Sequence, residues 1–320
     1  MPILKSDYQS PSLLFNSHLQ TIIPAIFRRV KGVNYKRERI MTPDDDFLDL
    51  DWHKEYNNQL LILSHGLEGD SYRPYIQGMV SAFAKEGWDC VAWNFRGCSG
   101  EVNKQLRFYH SGATDDLELV IQHALTKTEY KKIILMGFSL GGNITLKYLG
   151  EKGGNIPAEV KKAVVFSVPM DLYGSSLKIS EPSQYIYSRR FLKNLKAKVK
   201  AKSVIMPEKL NITAFDSIKK LKEFDDHYTA PLHGFKDALH YYKTCSSLYY
   251  LKDIKLKTLI INAQNDPFLS KECYPFHLLE DHPSIYFEAP TEGGHCGFAL
   301  FNNKNLYWSE MRALQFVNND

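Results

Sequence analysis

Ser139 lies at the centre of a Gly-Phe-Ser-Leu-Gly sequence, residues 137–141, which directly follows the apolar run 133–136. A serine between two glycines after a strand is typical of a sharp strand-to-helix turn that exposes the hydroxyl. Residues 143–149 then carry apolar side chains at helical spacing, so the motif has the flanking elements that such a turn needs. This context predicts that Ser139 is a nucleophile and disfavours the alternative of a glycine-rich turn without chemistry.

A serine hydroxyl is a weak nucleophile, so it needs a general base and an acid that orients the base. Asp266 follows the apolar and β-branched run 258–263, and His295 follows a second short run of this kind, 285–289. The order serine, acid, histidine, with each residue in a loop after a strand, predicts a catalytic triad. Asp171 is an alternative acid, but Asp266 has the better sequence context.

The developing oxyanion of such a reaction needs backbone N–H donors held in advance. The residue after the nucleophile, Leu140, supplies the first. The loop 65–69 follows a predicted strand at 60–64 and supplies the second, for which Leu67 has the right position. His65 in the same loop is predicted to shape the loop rather than to react.

These residues resemble the α/β-hydrolase superfamily, and further segments resemble its YheT-like branch of expected esterases and lipases. The resemblance spans about residues 12 to 300 and implies that the catalytic roles fall on Ser139, Asp266 and His295. Asn265 stands where members of the family often have a second aspartate. The segments that carry the resemblance are residues 16–24, 96–101, 109–112, 229–235, 262–268 and 293–298.

The remaining sequence indicates a mostly parallel, eight-stranded sheet with helices on both faces, because strand and helix patterns alternate. We expect a single α/β-hydrolase domain over 1–320. A hairpin opens the sheet, and a helical lid is inserted at 171–232, where the alternation stops. The strands are predicted near residues 35–40, 47–52, 60–64, 90–93, 133–136, 163–166, 258–263 and 285–289, and helices near 75–85 and 115–127.

The predicted lid is strongly basic. Residues 178–222 contain twelve Lys or Arg and three acidic residues, whereas the whole chain carries a net charge of only +4. One helix in the lid is predicted to be amphipathic. It is interpreted as an ordinary cap with a solvated face, or as a surface for anionic membrane. Its apolar positions are Tyr187, Phe191, Leu195 and Val199, and its basic positions are Arg189, Arg190, Lys193, Lys196 and Lys200.

Composition favours a cytoplasmic enzyme without a cofactor or metal. No stretch of 18 uncharged apolar residues and no signal segment is found, and five cysteines without C-x-x-C spacing argue against disulfides and structural zinc. Nucleic-acid binding is disfavoured because the basic charge is confined to one segment.

The predicted function is hydrolysis of carboxylic esters through an acyl-enzyme, with short- to medium-chain acyl esters and acylglycerols as candidate substrates. Two alternatives stay open: an acyltransferase with the same triad, and a non-catalytic lipid-binding protein. His110 and Asp115 form an H-x-x-x-x-D pair found in some acyltransferases, but Ser111, Thr114 and Asp115 also suit the start of the next helix, so helix capping and loop packing are favoured. His18 is predicted to pack and hydrogen-bond in the N-terminal segment.

Overall fold

The computed structural model describes residues 2–54, 57–127 and 130–319. Within them, nine strands form one sheet in the order β1-β9-β8-β7-β6-β4-β5-β3-β2. Among the described strands, β3 pairs antiparallel with both β2 and β5, and every other neighbouring pair is parallel. The strands are β1 Ile3–Leu4, β2 Lys36–Met41, β3 Phe47–His53, β4 Gln59–Ser64, β5 Asp89–Asn94, β6 Lys132–Phe138, β7 Val160–Phe166, β8 Thr258–Ile261 and β9 Ile285–Glu288.

Helices cover both faces of this sheet. The two helical layers are needed because the central strands are buried on both faces. Strand β6 is an example, since its alternate residues pack into two separate apolar clusters. Ile133 and Leu135 belong to one cluster, and Ile134 and Met136 belong to the other. The helices are α1 Ser17–Phe27, α2 Pro74–Lys85, α3 Thr114–Lys127, α4 Leu140–Lys152, α5 Leu172–Ile179, α6 Tyr185–Ile205, α7 Leu221–Phe224, α8 Ala230–Leu232, α9 Ala238–Cys245, α10 Phe276–Leu279 and α11 Trp308–Asn318.

The structure confirms the mostly parallel sheet, but the prediction of eight strands was wrong by one. The additional strand, β1, has two residues and pairs in parallel with β9 at the sheet edge. A two-residue strand is too short for any periodic pattern, so its pairing depends on backbone contacts such as the N–H of Phe287 donating to the carbonyl of Pro2 at 2.7 Å.

The segment between β7 and β8 contains five α-helices and no strand in its described residues. Its own apolar cluster joins α6 to α7 and includes Tyr187, Leu192 and Val199. Phe268, from the loop after β8, belongs to the same cluster, so the segment packs directly over the C-terminal ends of the strands. No helix in the described ranges is long and apolar enough to cross a membrane.

Candidate active site

Ser139 sits in the turn between β6 and α4 with φ 53° and ψ −120°, a backbone conformation that non-glycine residues rarely adopt. A Cβ atom on Gly137 would collide with the backbone of Gly141, and one on Gly141 would collide with the carbonyl of Ser64. Glycines at these two positions therefore let the turn pack tightly against β4. The turn is held by the N–H of Ser139, which donates to the carbonyl of Phe166 at 2.9 Å.

His295 connects Ser139 to Asp266 through its two ring nitrogens. Its Nε2 lies 2.9 Å from the Oγ of Ser139, and its Nδ1 lies 2.8 and 3.1 Å from the two carboxylate oxygens of Asp266. A carboxylate only accepts hydrogen bonds, so Nδ1 carries the proton and Nε2 of the neutral ring accepts from the serine hydroxyl. The structure thus brings together the three residues that the sequence predicted, in the arrangement of a nucleophile, a base and an orienting acid.

Electrostatics at His295 are dominated by two opposing effects. Burial is the largest single effect and lowers the pKa of His295, but the charges and hydrogen bonds of Asp266 and Cys296 together raise it by more, so the net pKa is about 10. Asp266 is only 4% exposed and also accepts from the N–H of Phe268 at 2.9 Å. The Phe268 ring lies 4.2 Å from the His295 ring and covers it. Solvent is therefore largely excluded from the pair.

The loop that carries His295 is held by the N-terminal segment, a role that sequence reasoning missed. The buried amide of Gln20 accepts from the N–H of Gly293 at 2.9 Å and from the side chain of Asn265 at 2.8 Å. The Thr21 hydroxyl accepts from the N–H of His295 itself at 2.9 Å. Residues 16–24 stood out in the sequence as a family signature, and these hydrogen bonds supply a physical reason for it.

The two predicted oxyanion donors lie on either side of Ser139. Leu140 is the first residue of α4, and Leu67 lies in the loop after β4; both line a cavity that includes Ser139. Next to Leu67, Glu68 has φ 53° and is buried, so the loop is strained at this point.

Four polar contacts hold the strained Glu68. Its carboxylate accepts from the Tyr109 hydroxyl at 2.7 Å and lies 2.8 Å from the Lys198 ammonium of α6. Its N–H donates to Tyr109 at 2.9 Å, and its carbonyl accepts from Arg73 at 2.6 Å. Glu68 lies in the loop 65–69 that the sequence indicated, but its contact with Lys198 could not be predicted because 130 residues separate the two.

The other sequence candidates lie away from the Ser139–His295 contact. Asp171 caps α5 by accepting from the N–H of Gly174 at 2.9 Å. His65 is buried, accepts from the N–H of Phe95 at 3.2 Å, and burial lowers its pKa to about 3, which suits the loop-shaping role predicted for it. His18 stacks on Tyr187 of α6, with its Nδ1 3.1 Å from the tyrosine hydroxyl.

His110 and Asp115 do not form a pair. Asp115 is exposed and accepts from Arg107 at 2.8 Å, whereas His110 packs against His233 at a ring distance of 4.6 Å. Thr114 at the start of α3 donates to Glu151 rather than capping the helix. Loop packing, one part of the prediction, describes this region; side-chain capping by Thr114 does not.

The basic face of α6 is smaller than its sequence indicated. Four of the five predicted basic positions are exposed: Arg189, Lys193 and Lys200 lie along one stripe, and Arg190 borders a cavity that includes Ser139. Lys196 turns inward and donates to the carbonyls of Phe215 and Ile218. Two further lysines of the helix, Lys198 and Lys202, are also held by inward contacts, the first with Glu68 and the second with Asn103 and Gln105. About half of the helix charge therefore holds the segment in place.

Ser139 lies where two cavities meet, and both are lined by Leu67, Phe191, Phe268 and His295 as well. The outer cavity, about 210 Å³, passes between α1 and α6 and is bordered by the exposed side chains of Ile26 and Ile186. The inner cavity, about 130 Å³, extends under α5, α7 and α9. A molecule with two arms could place one in each cavity with its central carbonyl at Ser139.

A family model for the alpha/beta hydrolase fold matches residues 59–300, which include Ser139, Asp266 and His295. This chain belongs to the α/β-hydrolase family. Within the family it belongs to the YheT-like branch: it is 36% identical over 289 residues to YheT of Escherichia coli, whose name gives it an expected esterase activity, with 88% of this chain and 84% of YheT covered.

A second relative of this α/β-hydrolase is phospholipase ABHD3 of Mus musculus, 27% identical over 93% of this chain and 74% of the mouse protein. Among solved structures, the esterase Pf2001 of Pyrococcus furiosus superposes with a TM-score of 0.59, covering 91% of this chain and 94% of that one at 17% identity. At this identity the superposition supports the fold alone.

Proposed function

We propose that this α/β-hydrolase cleaves carboxylic esters, with Ser139 as the nucleophile, His295 as the general base and Asp266 as the acid that orients it. The observation that carries the proposal is the pair of contacts made by His295, 2.9 Å to the Ser139 Oγ and 2.8 Å to Asp266. The names of YheT and phospholipase ABHD3 support the same class of substrate.

The proposed reaction has two steps. Ser139 Oγ forms a bond to the ester carbonyl carbon while His295 Nε2 takes the serine proton and then delivers it to the departing alcohol oxygen. Water next adds to the acyl-enzyme, gives a proton to His295, and the carboxylic acid leaves as the proton returns to Ser139. In both steps the N–H groups of Leu67 and Leu140 would stabilise the carbonyl oxygen as it gains negative charge.

Substrate size is proposed from the cavities. The outer cavity of about 210 Å³ leads to apolar side chains at the surface, which suits a short- to medium-chain acyl group. Acylglycerols of this chain length are the candidate natural class.

Labelling by a fluorophosphonate, followed by an ester series from acetyl to long acyl, tests the proposal. We expect labelling that heat denaturation abolishes, and highest kcat/KM for short to medium chains. Product analysis with and without added alcohol distinguishes hydrolysis from acyl transfer. A folded protein that neither labels nor turns over any ester would favour the non-catalytic lipid-binding alternative.

A first prediction concerns Glu68, which we propose as a positioning residue for the Leu67 N–H. Glu68→Gln weakens its contact with Lys198 and leaves the strained loop less well held. We expect kcat to fall by about 10-fold or more, with a KM change below about twofold. The reason is that an N–H donor displaced by a fraction of an ångström stabilises the oxyanion of the transition state much less. Initial rates across substrate concentration give both constants.

The controls for this prediction use α6 itself. Lys198→Arg keeps the charge and should retain most activity, whereas Lys198→Met should resemble Glu68→Gln, and the double variant should cost little more than either alone. Lys200→Met removes a solvated charge two residues away and should have no effect. Additive losses from Glu68→Gln and Lys198→Met would contradict a shared positioning role.

A second prediction concerns membrane contact through the exposed stripe of α6. Beside Arg189, Lys193 and Lys200, the side chains of Tyr185 and Ile186 are 60% and 72% exposed, so the helix offers both charge and apolar surface. We propose that it binds anionic membrane. Each basic residue adds about 1 kcal/mol near such a surface, so replacing all three by Gln should weaken vesicle binding by about 100-fold at low salt.

Vesicle sedimentation at several salt concentrations measures this effect, and hydrolysis of a small soluble ester should stay unchanged. A matched control replaces Lys85, Lys131 and Lys161 by Gln; these exposed lysines lie where strands of the sheet begin, at the opposite edge from Ser139. Equal losses in both triple variants would show only a net-charge effect. Binding by the wild type that salt does not weaken would exclude the electrostatic contact.

A further inference from the structure

The inner cavity contains a carboxylate that the proposed triad does not use. Asp225 lines this cavity together with Ser139, and it begins a π-helical turn, Asp225–Thr229, between α7 and α8. Such turns widen a helix locally and occur frequently at functional sites. Here the turn directs a charged side chain toward the space where one arm of a bound ester would lie.

Asp225 has no cationic partner within the described residues. Its Oδ1 accepts from the Thr229 hydroxyl at 2.5 Å and its Oδ2 from the Tyr242 hydroxyl at 2.6 Å. The adjacent Asp226 takes the nearby cation, Lys222, at 2.6 Å. Since a carboxylate has about four acceptor positions, each oxygen of Asp225 keeps one for a further donor.

The pKa of Asp225 is consistent with a carboxylate that can accept a further hydrogen bond. Burial is the largest effect, and the net result raises the pKa of Asp225 to about 6; the charge of Asp226 also raises this pKa, whereas the Thr229 and Tyr242 hydroxyls and the charge of Lys222 lower it. Because Lys222 is paired directly with Asp226 and acts on Asp225 only from a distance, a further donor supplied by a ligand would stabilise the Asp225 carboxylate.

The size of the inner cavity restricts that ligand. At about 130 Å³ it is slightly smaller than an engineered cavity of about 150 Å³ that holds benzene, so a group of roughly six non-hydrogen atoms fits. Both present partners of Asp225 are neutral hydroxyls, which suits a further neutral hydroxyl donor. Glycerol has six non-hydrogen atoms and neutral hydroxyl donors.

We infer that the inner cavity binds the alcohol portion of the ester, and that Asp225 selects a short alcohol with free hydroxyl groups, of glycerol size, by accepting a hydrogen bond from it. This inference rests on the proposed ester hydrolysis at Ser139. The acyl chain then occupies the outer cavity, and the alcohol oxygen lies beside His295, which lines both cavities and gives it a proton as it departs.

The test compares three butyrate esters that differ in the alcohol: 2,3-dihydroxypropyl butyrate, propyl butyrate and butyrylcholine. For the wild type we expect kcat/KM to be at least about 10-fold higher for the dihydroxypropyl ester than for the propyl ester. Asp225→Asn should remove that preference while changing propyl butyrate hydrolysis by less than about twofold, because only the hydroxylated alcohol uses the carboxylate. Asp226→Asn is the matched control and should keep the preference.

The outcomes separate this inference from the proposed function. If the wild type hydrolyses none of the esters, ester hydrolysis itself fails. If it hydrolyses them without preference for free hydroxyls, prefers butyrylcholine, or loses activity on all three equally in Asp225→Asn, the role of Asp225 is overturned. If Asp225→Asn does not fold, a measurement on the wild type still tests the inference. Free glycerol should inhibit the release of butyric acid from propyl butyrate more strongly than 1-propanol does. Equal inhibition by the two alcohols would contradict the inference.

Discussion

Replacement of Ser139 by alanine is expected to lower ester hydrolysis by about 10⁴-fold or more, because no other group in the proposed mechanism can form the acyl-enzyme. The fold should persist. The hydroxyl contacts His295, whereas the turn itself is held by the backbone N–H of Ser139 and by the glycines on either side. Steady-state kinetics and thermal unfolding of the purified variant measure the two effects separately.

Fluorophosphonate labelling supplies the control for this variant. Ser167 is a second serine near the site; it is buried, has φ 53° and accepts from the N–H of Cys296 at 2.8 Å. Labelling should survive in Ser167→Ala and disappear in Ser139→Ala. A Ser139→Ala protein that keeps turnover within about 10-fold of the wild type would show that the nucleophile is a different residue.

Replacement of Asp266 by asparagine is expected to have the second largest effect, a fall in kcat of about 10⁴-fold, because an amide favours the wrong tautomer of His295. It should also move the pH profile. Against the lowering effect of burial, Asp266 and Cys296 together raise the pKa of His295, and only neutral His295 can act as a base, so wild-type activity rises as the pH increases through that raised pKa. Without the negative charge, the pKa falls and the rise should shift to lower pH.

Measurement of kcat/KM between about pH 5 and pH 11 detects both changes. Asp171→Asn is the comparison, since Asp171 caps α5 and was the alternative acid in the sequence. It should leave the pH profile in place and reduce activity by less than about 10-fold, as expected for a lost helix cap. If Asp171→Asn is the more damaging change, or if Asp266→Asn leaves the profile unmoved, then Asp266 is not the orienting acid.

The sheet could be predicted from the sequence because its signals are local. Strands β4 to β8 are buried on both faces, so they appear as short apolar runs, and each predicted run overlaps an observed strand to within about three residues. Ser139 could also be found locally, since the turn requires glycine at two fixed positions. Asp266 and His295 followed from their places after strands, because parallel strands bring the loops at their C-terminal ends to one edge of a sheet.

The tertiary structure alone decided the features that depend on residues far apart in the chain. Gln20 and Thr21 form hydrogen bonds with the His295 loop, from which they are separated by about 270 residues in the sequence. Lys198 contacts Glu68, from which it is separated by 130 residues. The lysines of α6 that turn inward are the same residue type as those that face solvent, and the two groups are interspersed along the helix. The periodicity of the sequence therefore could not predict which lysines turn inward.

Asp225 shows the same division between sequence and tertiary structure. In the sequence it is one of two adjacent aspartates in a charged helical segment. Its contact with Thr229 and the pair between Asp226 and Lys222 are local, but only the packing of α7, α8 and α9 brings the Tyr242 hydroxyl to Asp225 and places this carboxylate beside a cavity that includes Ser139. A sequence therefore determines which chemical groups are available and which local turns present them. Burial and distance between remote segments decide which of those groups are neutralised and which stay able to bind a ligand.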